Sequence, residues 1–354
     1  MRSTPGVSST DTRIGAGMGA VSAADPIPGS DAIGRASDLT LTYDSGLELK
    51  ARSQWSYARI RFFRHKLAVV SLIVLVFVAI VALFPAAFAP DGPNDQNLPG
   101  IDDAGNLTEG EIAKAPSWEH PFGTDLLGRD YLSRVIFGLQ TSLWVAFFVA
   151  LLSTFIGTAV GAFAGYYGGV VDNLLMRVTD LVLTLPTLAV LLAAAAFLGQ
   201  EGQTIGPFEL SQPMIIALIL AFLFWTALAR IVRGVFLSLR EKEFVEAAKA
   251  SGGSDMRIII RHILPNCVGA IVVTMTLIVA TAILVEAALS FLGFGIQPPT
   301  PALGNLINEG NVGGLGSWWL VTFPGIVIVI VVLAVNFIGD GLRDALDPTQ
   351  RIRA

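Results

Sequence analysis

Cysteine is nearly absent: Cys267 stands alone among 354 residues, so no internal disulfide or cysteine-built metal cage can form, and the residue reads as a small apolar filler near a helix start. Histidine is almost as scarce. His65, His120 and His262 are widely separated, and no GxxxxGK[ST] phosphate loop, HExxH helix or nucleophile elbow occurs. The chain therefore has no inventory for hydrolysis, and no catalytic residue, metal site or resident cofactor is expected. Charge is thin as well: 14% of residues are charged and 53% hydrophobic, with a mean hydropathy of +0.66, too little polar surface to cover a soluble globule of this length. An integral membrane protein follows. A ten-residue alternation of polar and apolar residues is also missing, which excludes a barrel and leaves an all-α bundle.

Charge-free runs long enough to cross the hydrocarbon, which takes about 20 helical residues, fall at 67–88, 143–166, 181–200 (led in by 174–180), 213–229 and slightly beyond, 263–285 and onward, and 318–339. Six transmembrane helices are predicted. Of the 23 Lys and Arg, 20 lie on one side if the amino terminus is cytoplasmic, and only Lys114, Arg129 and Arg134 remain outside. That asymmetry predicts both termini in the cytoplasm. The basic clusters read as anchors against membrane lipid rather than a groove for nucleic acid, so no nucleic-acid partner is expected.

Residues 1–50 are rich in Ser, Gly, Ala, Thr and Asp, lack the apolar core of a signal peptide, and predict a disordered cytoplasmic tail. The stretch 51–66 mixes aromatics with cations, which suits a helix along the inner interface with Trp55 and Tyr57 at headgroup level and His65 as an interfacial residue. The six-helix domain then occupies 67–354, with an outer loop at 90–140 and a cytoplasmic loop at 237–265. In the outer loop, Thr124 or Asp125 is suited to cap a short helix in which Arg129, Asp130 and Arg134 are spaced for local ion pairs. His120, beside Pro121 and without a second ligand, is not a metal site. Gly165, Gly168 and Gly169 end a span and turn the chain back to Asp172; a nucleotide cradle would need a preceding strand.

Two carboxylates sit at membrane depth. Asp180 follows Arg177 by three residues, so the two share a helix face and are expected to pair. Glu286, flanked by Ala287 and Ala288, is expected to face the bundle interior or water at the outer end, either as an anchor or lining the pathway.

The cytoplasmic loop holds the most organised pattern. A helix is predicted over 241–251, stopped by Gly252-Gly253; Ser254 is expected to cap a second short helix running through Arg257 and Arg261 to Pro265. Ala247, Ala248 and Ala250 keep the first helix thin enough for close approach by a partner, with Glu246 and Lys249 at its rim. Two short helices at an angle form a docking lever.

Glu246-Ala247-Ala248, then Gly252, then Leu264-Pro265 resembles the EAA loop of binding-protein-dependent ABC import permeases. The common motif has isoleucine two positions before Leu-Pro; here that position is His262, and Arg261 to Asn266 is similar to the form in the dipeptide and oligopeptide subgroup. His120-Pro-Phe-Gly-Thr-Asp-Leu-Leu-Gly-Arg-Asp130, Glu286-Ala-Ala-Leu-Ser-Phe-Leu-Gly293, Gln297-Pro-Pro-Thr-Pro301 and Gly339-Asp-Gly-Leu-Arg-Asp-Ala-Leu-Asp-Pro348 resemble the C-type permease subunit of that subgroup, whose cargo is peptide and sometimes nickel or glutathione. The resemblance implies a type I ABC importer permease fold in a bacterial cytoplasmic membrane. It also implies a second, related permease subunit, two cytoplasmic ATPases that hold ATP and magnesium, and an extracytoplasmic solute-binding protein. Glu246, Ala247, Ala248, Gly252, Leu264 and Pro265 become the residues that couple to the ATPase. The alternative from another class is a proton-coupled carrier using Asp180 and Glu286.

Overall fold

The computed structural model describes residues 54–96, 112–198, 204–205, 208–312 and 314–346, with the side chains of a few of these left aside. The expected tail at 1–50, the side chains of Trp55 and Tyr57, and much of the acidic front half of the outer loop lie outside the described residues.

The described chain is helical almost throughout. α1 (Gln54–Arg64) leads into α2 (Lys66–Leu83), whose first turn is capped by His65 Nδ1 accepting from Ala68 N–H at 3.1 Å, and into the single turn α3 (Pro85–Phe88). α4 (Tyr131–Tyr167) runs 37 residues. α5 (Gly169–Thr184) and α6 (Thr187–Leu198) follow, then a two-residue hairpin of β1 (Thr204–Ile205) and β2 (Phe208–Glu209), and α7 (Gln212–Leu239). α8 (Glu243–Ala250) is the short helix of the connecting loop. α9 (Asp255–Ile258) passes through one wide turn, Ile259–Ile263, into α10 (Leu264–Phe291). α11 (Leu303–Val312) and α12 (Trp319–Leu346) complete the bundle. Among the described residues, five helices are long and apolar enough to span a membrane, or six if the bent pair α5 and α6 counts as one.

Three expectations need correction. The second span begins well before residue 143, because residues 131–142 continue the same helix while packed against protein rather than lipid. The third is not straight: its two halves meet at 81°. Pro186 lacks an N–H and pushes Leu185 into an extended conformation (φ −71°, ψ 134°), so the helix ends there and restarts. The second short helix of the loop is not a separate element, since it runs without a break into α10. Leu264 N–H bonds Ile259 O, five residues back, and Pro265, with no donor to offer, falls in the first turn beyond.

Inside a bilayer, apolar side chains gain little by leaving lipid for protein, so helices associate through close backbone approach. Gly157, Gly161 and Gly165 supply it on α4. A Cβ added at Gly157 would come within 2.6 Å of Trp225 O, one at Gly161 within 2.8 Å of Val232 Cβ, and one at Gly165 within 2.8 Å of Arg233 O. This seam between α4 and α7 is the spine of the bundle. α10 packs on α4 and α12, while α12 also covers α1 and α2.

Candidate functional site

At one end of the bundle, α8 forms an elbow whose fold follows from eight residues. Glu243 and Glu246 occupy its first turn and Lys249 its last, matching the helix dipole. Gly252, at φ +76°, takes the left-handed conformation that ends it; Gly253 N–H bonds Ala248 O at 3.0 Å and Gly252 N–H bonds Lys249 O at 2.9 Å, the paired closure of a glycine-stopped helix. Ser254 holds the next N-cap position, but its side chain makes no capping bond.

Below, the elbow is fixed to the bundle. Val245, Ile258 and Ile263 are fully buried beneath it. Tyr166 Oη, on the last turn of α4, donates to Asp255 Oδ1 at 2.7 Å, and Lys249 Nζ lies 5.5 Å from the centroid of the same ring. Arg240 Nη1 donates to Gly165 O at 3.3 Å. Above, Glu246, Ala247 and Gly252 are exposed, Ala248 is half-buried against the core, Leu264 is half-buried and Pro265 exposed. The outward face thus combines small side chains and a carboxylate at the rim with the exposed Phe244 of α8 and Met256 of α9, on a footing shared by α4 and α10. Tyr166 was not anticipated, although its place two residues before the Gly168-Gly169 reversal put it in the last turn of α4, at the end nearest the loop.

The opposite end is closed by a buried charge network. No short helix forms at 124–130. Instead Thr124 and Asp130 make a bridge, and Asp125 Oδ1 accepts from Leu127 N–H at 2.8 Å and Arg129 N–H at 3.0 Å, because an aspartate at a turn satisfies the backbone locally. Asp125 Oδ2 accepts from Arg129 Nε at 2.6 Å and from the fully buried Arg134 Nη1 at 2.8 Å. Arg134 also pairs with Glu309 on α11, which Arg129 Nη2 reaches at 3.2 Å. Asp130 caps α4 through Ser133 N–H and holds His120 Nδ1 at 2.8 Å. His120 is therefore part of a clasp.

Glu286 is fully buried between α10 and α4. Its carboxylate accepts from Ser142 Oγ at 2.8 Å and Ser290 Oγ at 2.7 Å; those hydroxyls accept from Leu303 N–H at 3.3 Å and Ile296 N–H at 3.0 Å. One carboxylate thus orients the segment leading into α11. Asp180 does not pair with Arg177: Arg230 Nη2 meets it at 2.5 Å from α7. One level away, Arg233 forks onto Asp172. The Arg177 side chain is exposed. Among the described residues no cluster of His, Cys, Asp or Glu could hold a metal ion.

The described chain is thus a multi-pass helical subunit with an elbow at one end and a clasped loop at the other. Residues 157–352 match the family described as binding-protein-dependent transport system inner membrane component, and residues 53–108 match the N-terminal TM domain of oligopeptide transport permease C. The oligopeptide transport system permease protein OppC of Escherichia coli K12 is 40% identical over 89% of this chain and 98% of its own. A putative peptide transport system permease protein of Brucella abortus is 40% identical over 82% of this chain and 91% of its own. The glutathione transport system permease protein GsiD of an Escherichia coli O6 strain is 39% identical over 84% and 92%. A chain of the methionine ABC transporter MetNI, facing inward, aligns with a TM-score of 0.47 at 20% identity over 60% of this chain and 96% of that one. The chain belongs to the binding-protein-dependent transport system inner membrane component family. It is a permease subunit of an ABC importer, an all-α membrane protein that works in a complex with ATPase and substrate-binding partners.

Proposed function

We propose that this chain forms one half of the transmembrane pathway of an ATP-driven importer of di- or oligopeptides, a second homologous permease forming the other half. Two cytoplasmic ATPases hold ATP and magnesium and engage the elbow through Glu246, Ala247, Ala248 and Gly252. Leu264 and Pro265 carry the displacement into α10. The protein lies in the bacterial cytoplasmic membrane with both termini and the elbow inside, an orientation supported by the concentration of Lys and Arg on that side. An extracytoplasmic binding protein delivers peptide to the α11 end. Relatives named for oligopeptide and peptide transport support the cargo, and glutathione, named for a third relative, is itself a small peptide.

The observation that carries the reading is the elbow's footing. Tyr166 ties the elbow to α4 through Asp255 on α9 and Lys249 on α8, α9 continues without a break into α10, and Val245 of α8 is buried beside Ile258 of α9, so a push on α8 displaces those helices together, where a loose loop would absorb the motion. Glu286 acts as an anchor, with both carboxylate oxygens engaged by serines. Asp180 and Arg230 tie α5 to α7, and Arg177 serves as an inner-face cation.

Ala247→Trp, placed on the exposed face so that the subunit itself is spared, tests this in proteoliposomes holding the complete transporter. ATP hydrolysis should continue while peptide uptake falls at least about fivefold. Unchanged uptake per ATP would contradict the coupling role, and uptake driven by a pH gradient without ATPases would favour the carrier alternative.

A further inference from the structure

Between α4 and the first turns of α7, beneath Thr300, lies a cavity of about 340 Å³. Its wall is aromatic and apolar: Trp144 and Phe148 stack with centroids 5.3 Å apart, and Met214 and Ala217 contribute from α7. No ionisable side chain lines it. Among the described residues, the amide of Gln140 and the hydroxyls of Ser211 and Thr300 form no intramolecular hydrogen bond, although all three border the space. Polar groups with unspent hydrogen-bonding capacity are costly against hydrocarbon, so these three suit water or a polar ligand rather than lipid.

A carboxamide both donates and accepts, as a peptide main chain does. Stacked aromatic faces suit an apolar or aromatic side chain, and a wall without charges disfavours a cationic or anionic one. The volume falls at the lower end of small-molecule pockets, which run from about 300 to 1,000 Å³. It suits one bulky side chain with its adjoining amide, not a long peptide.

We propose that this cavity is a subsite of the transport pathway, taking an apolar or aromatic side chain of the passing peptide together with the neighbouring main-chain amide. The assignment rests on the peptide-import reading above. It goes beyond that reading by giving the permease, and not only the binding protein, a part in selection.

The test uses the complete transporter in proteoliposomes, with the binding protein pre-loaded with either Ala-Phe-Ala or Ala-Lys-Ala, and reads kcat/KM for each peptide. Trp144→Ala should lower the Phe-to-Lys ratio about tenfold, with Trp144→Phe restoring most of it. Gln140→Glu should shift the ratio further toward the lysine peptide, a change that a merely structural residue would not produce. Copurification of the other subunits checks assembly for each variant. Equal changes for both peptides, or none, in assembled variants would overturn the subsite while leaving peptide import intact. Failure of the wild type to take up either peptide would overturn the import reading and the subsite with it.

Discussion

The two ends of this bundle are held by different means. At the α11 end, Asp125, Arg129, Arg134 and Glu309 form a continuous ionic network around a fully buried guanidinium, and Asp130 with His120 adds a second pair. At the elbow end, eight residues of helix rest on buried valine and isoleucine, one tyrosine hydroxyl and one cation over a ring, and the outward face carries small side chains with Phe244 and Met256 exposed beside them. Buried ion networks tolerate little displacement, because breaking one strands a charge. Apolar seating with a few surface contacts can be pushed as a unit and released. One end is held by buried charge and the other by apolar seating, the contrast expected if the proposed docking role is right.

The largest test of that contrast is Arg134→Met. It removes one of the two buried cations that Asp125 and Glu309 share, leaving only Arg129 between them, and should destabilise the subunit by about 3 kcal/mol, seen as a fall in Tm in detergent. Gly252→Ala comes next: forcing a Cβ into φ +76° should cost about 1–2 kcal/mol, confined to the elbow. Hydrogen exchange of the α8 amides should then quicken about tenfold, with little change in global Tm. If Tm falls as far as for Arg134→Met, the ends are not independent and the contrast breaks. The smallest effect belongs to Asp180→Asn. Its pair with Arg230 leaves the two side chains 57% and 52% exposed, so the change should stay within about 1 kcal/mol and shrink further in salt.

Hydropathy revealed the spans because burial in lipid demands long apolar runs, and the elbow was legible because alanine pairs and a double glycine carry local geometry. What escaped the sequence reading was non-local. Glu309 reaches Arg134 across 175 residues, and Ser142 reaches Glu286 across 144, separations that no short pattern encodes. Arg230 displaced Arg177 as the partner of Asp180 for the same reason: helix-face spacing identifies neighbours on one helix and is silent about which helix packs beside it. Two signals were present and unused. Gly157, Gly161 and Gly165 recur every four residues, the spacing of a close helix seam, and Pro186 interrupts the third apolar run where the helix breaks.

The central claim is that the elbow is the face an ATPase grips. A photo-cross-linking amino acid placed at Ala247 in the assembled transporter, with a matching one at Trp118, a fully exposed residue two positions before His120 of the clasp, addresses it directly. The account predicts an ATPase adduct from position 247 and none from 118. An ATPase adduct from 118, or none from 247 in an assembly that hydrolyses ATP and transports, would contradict it.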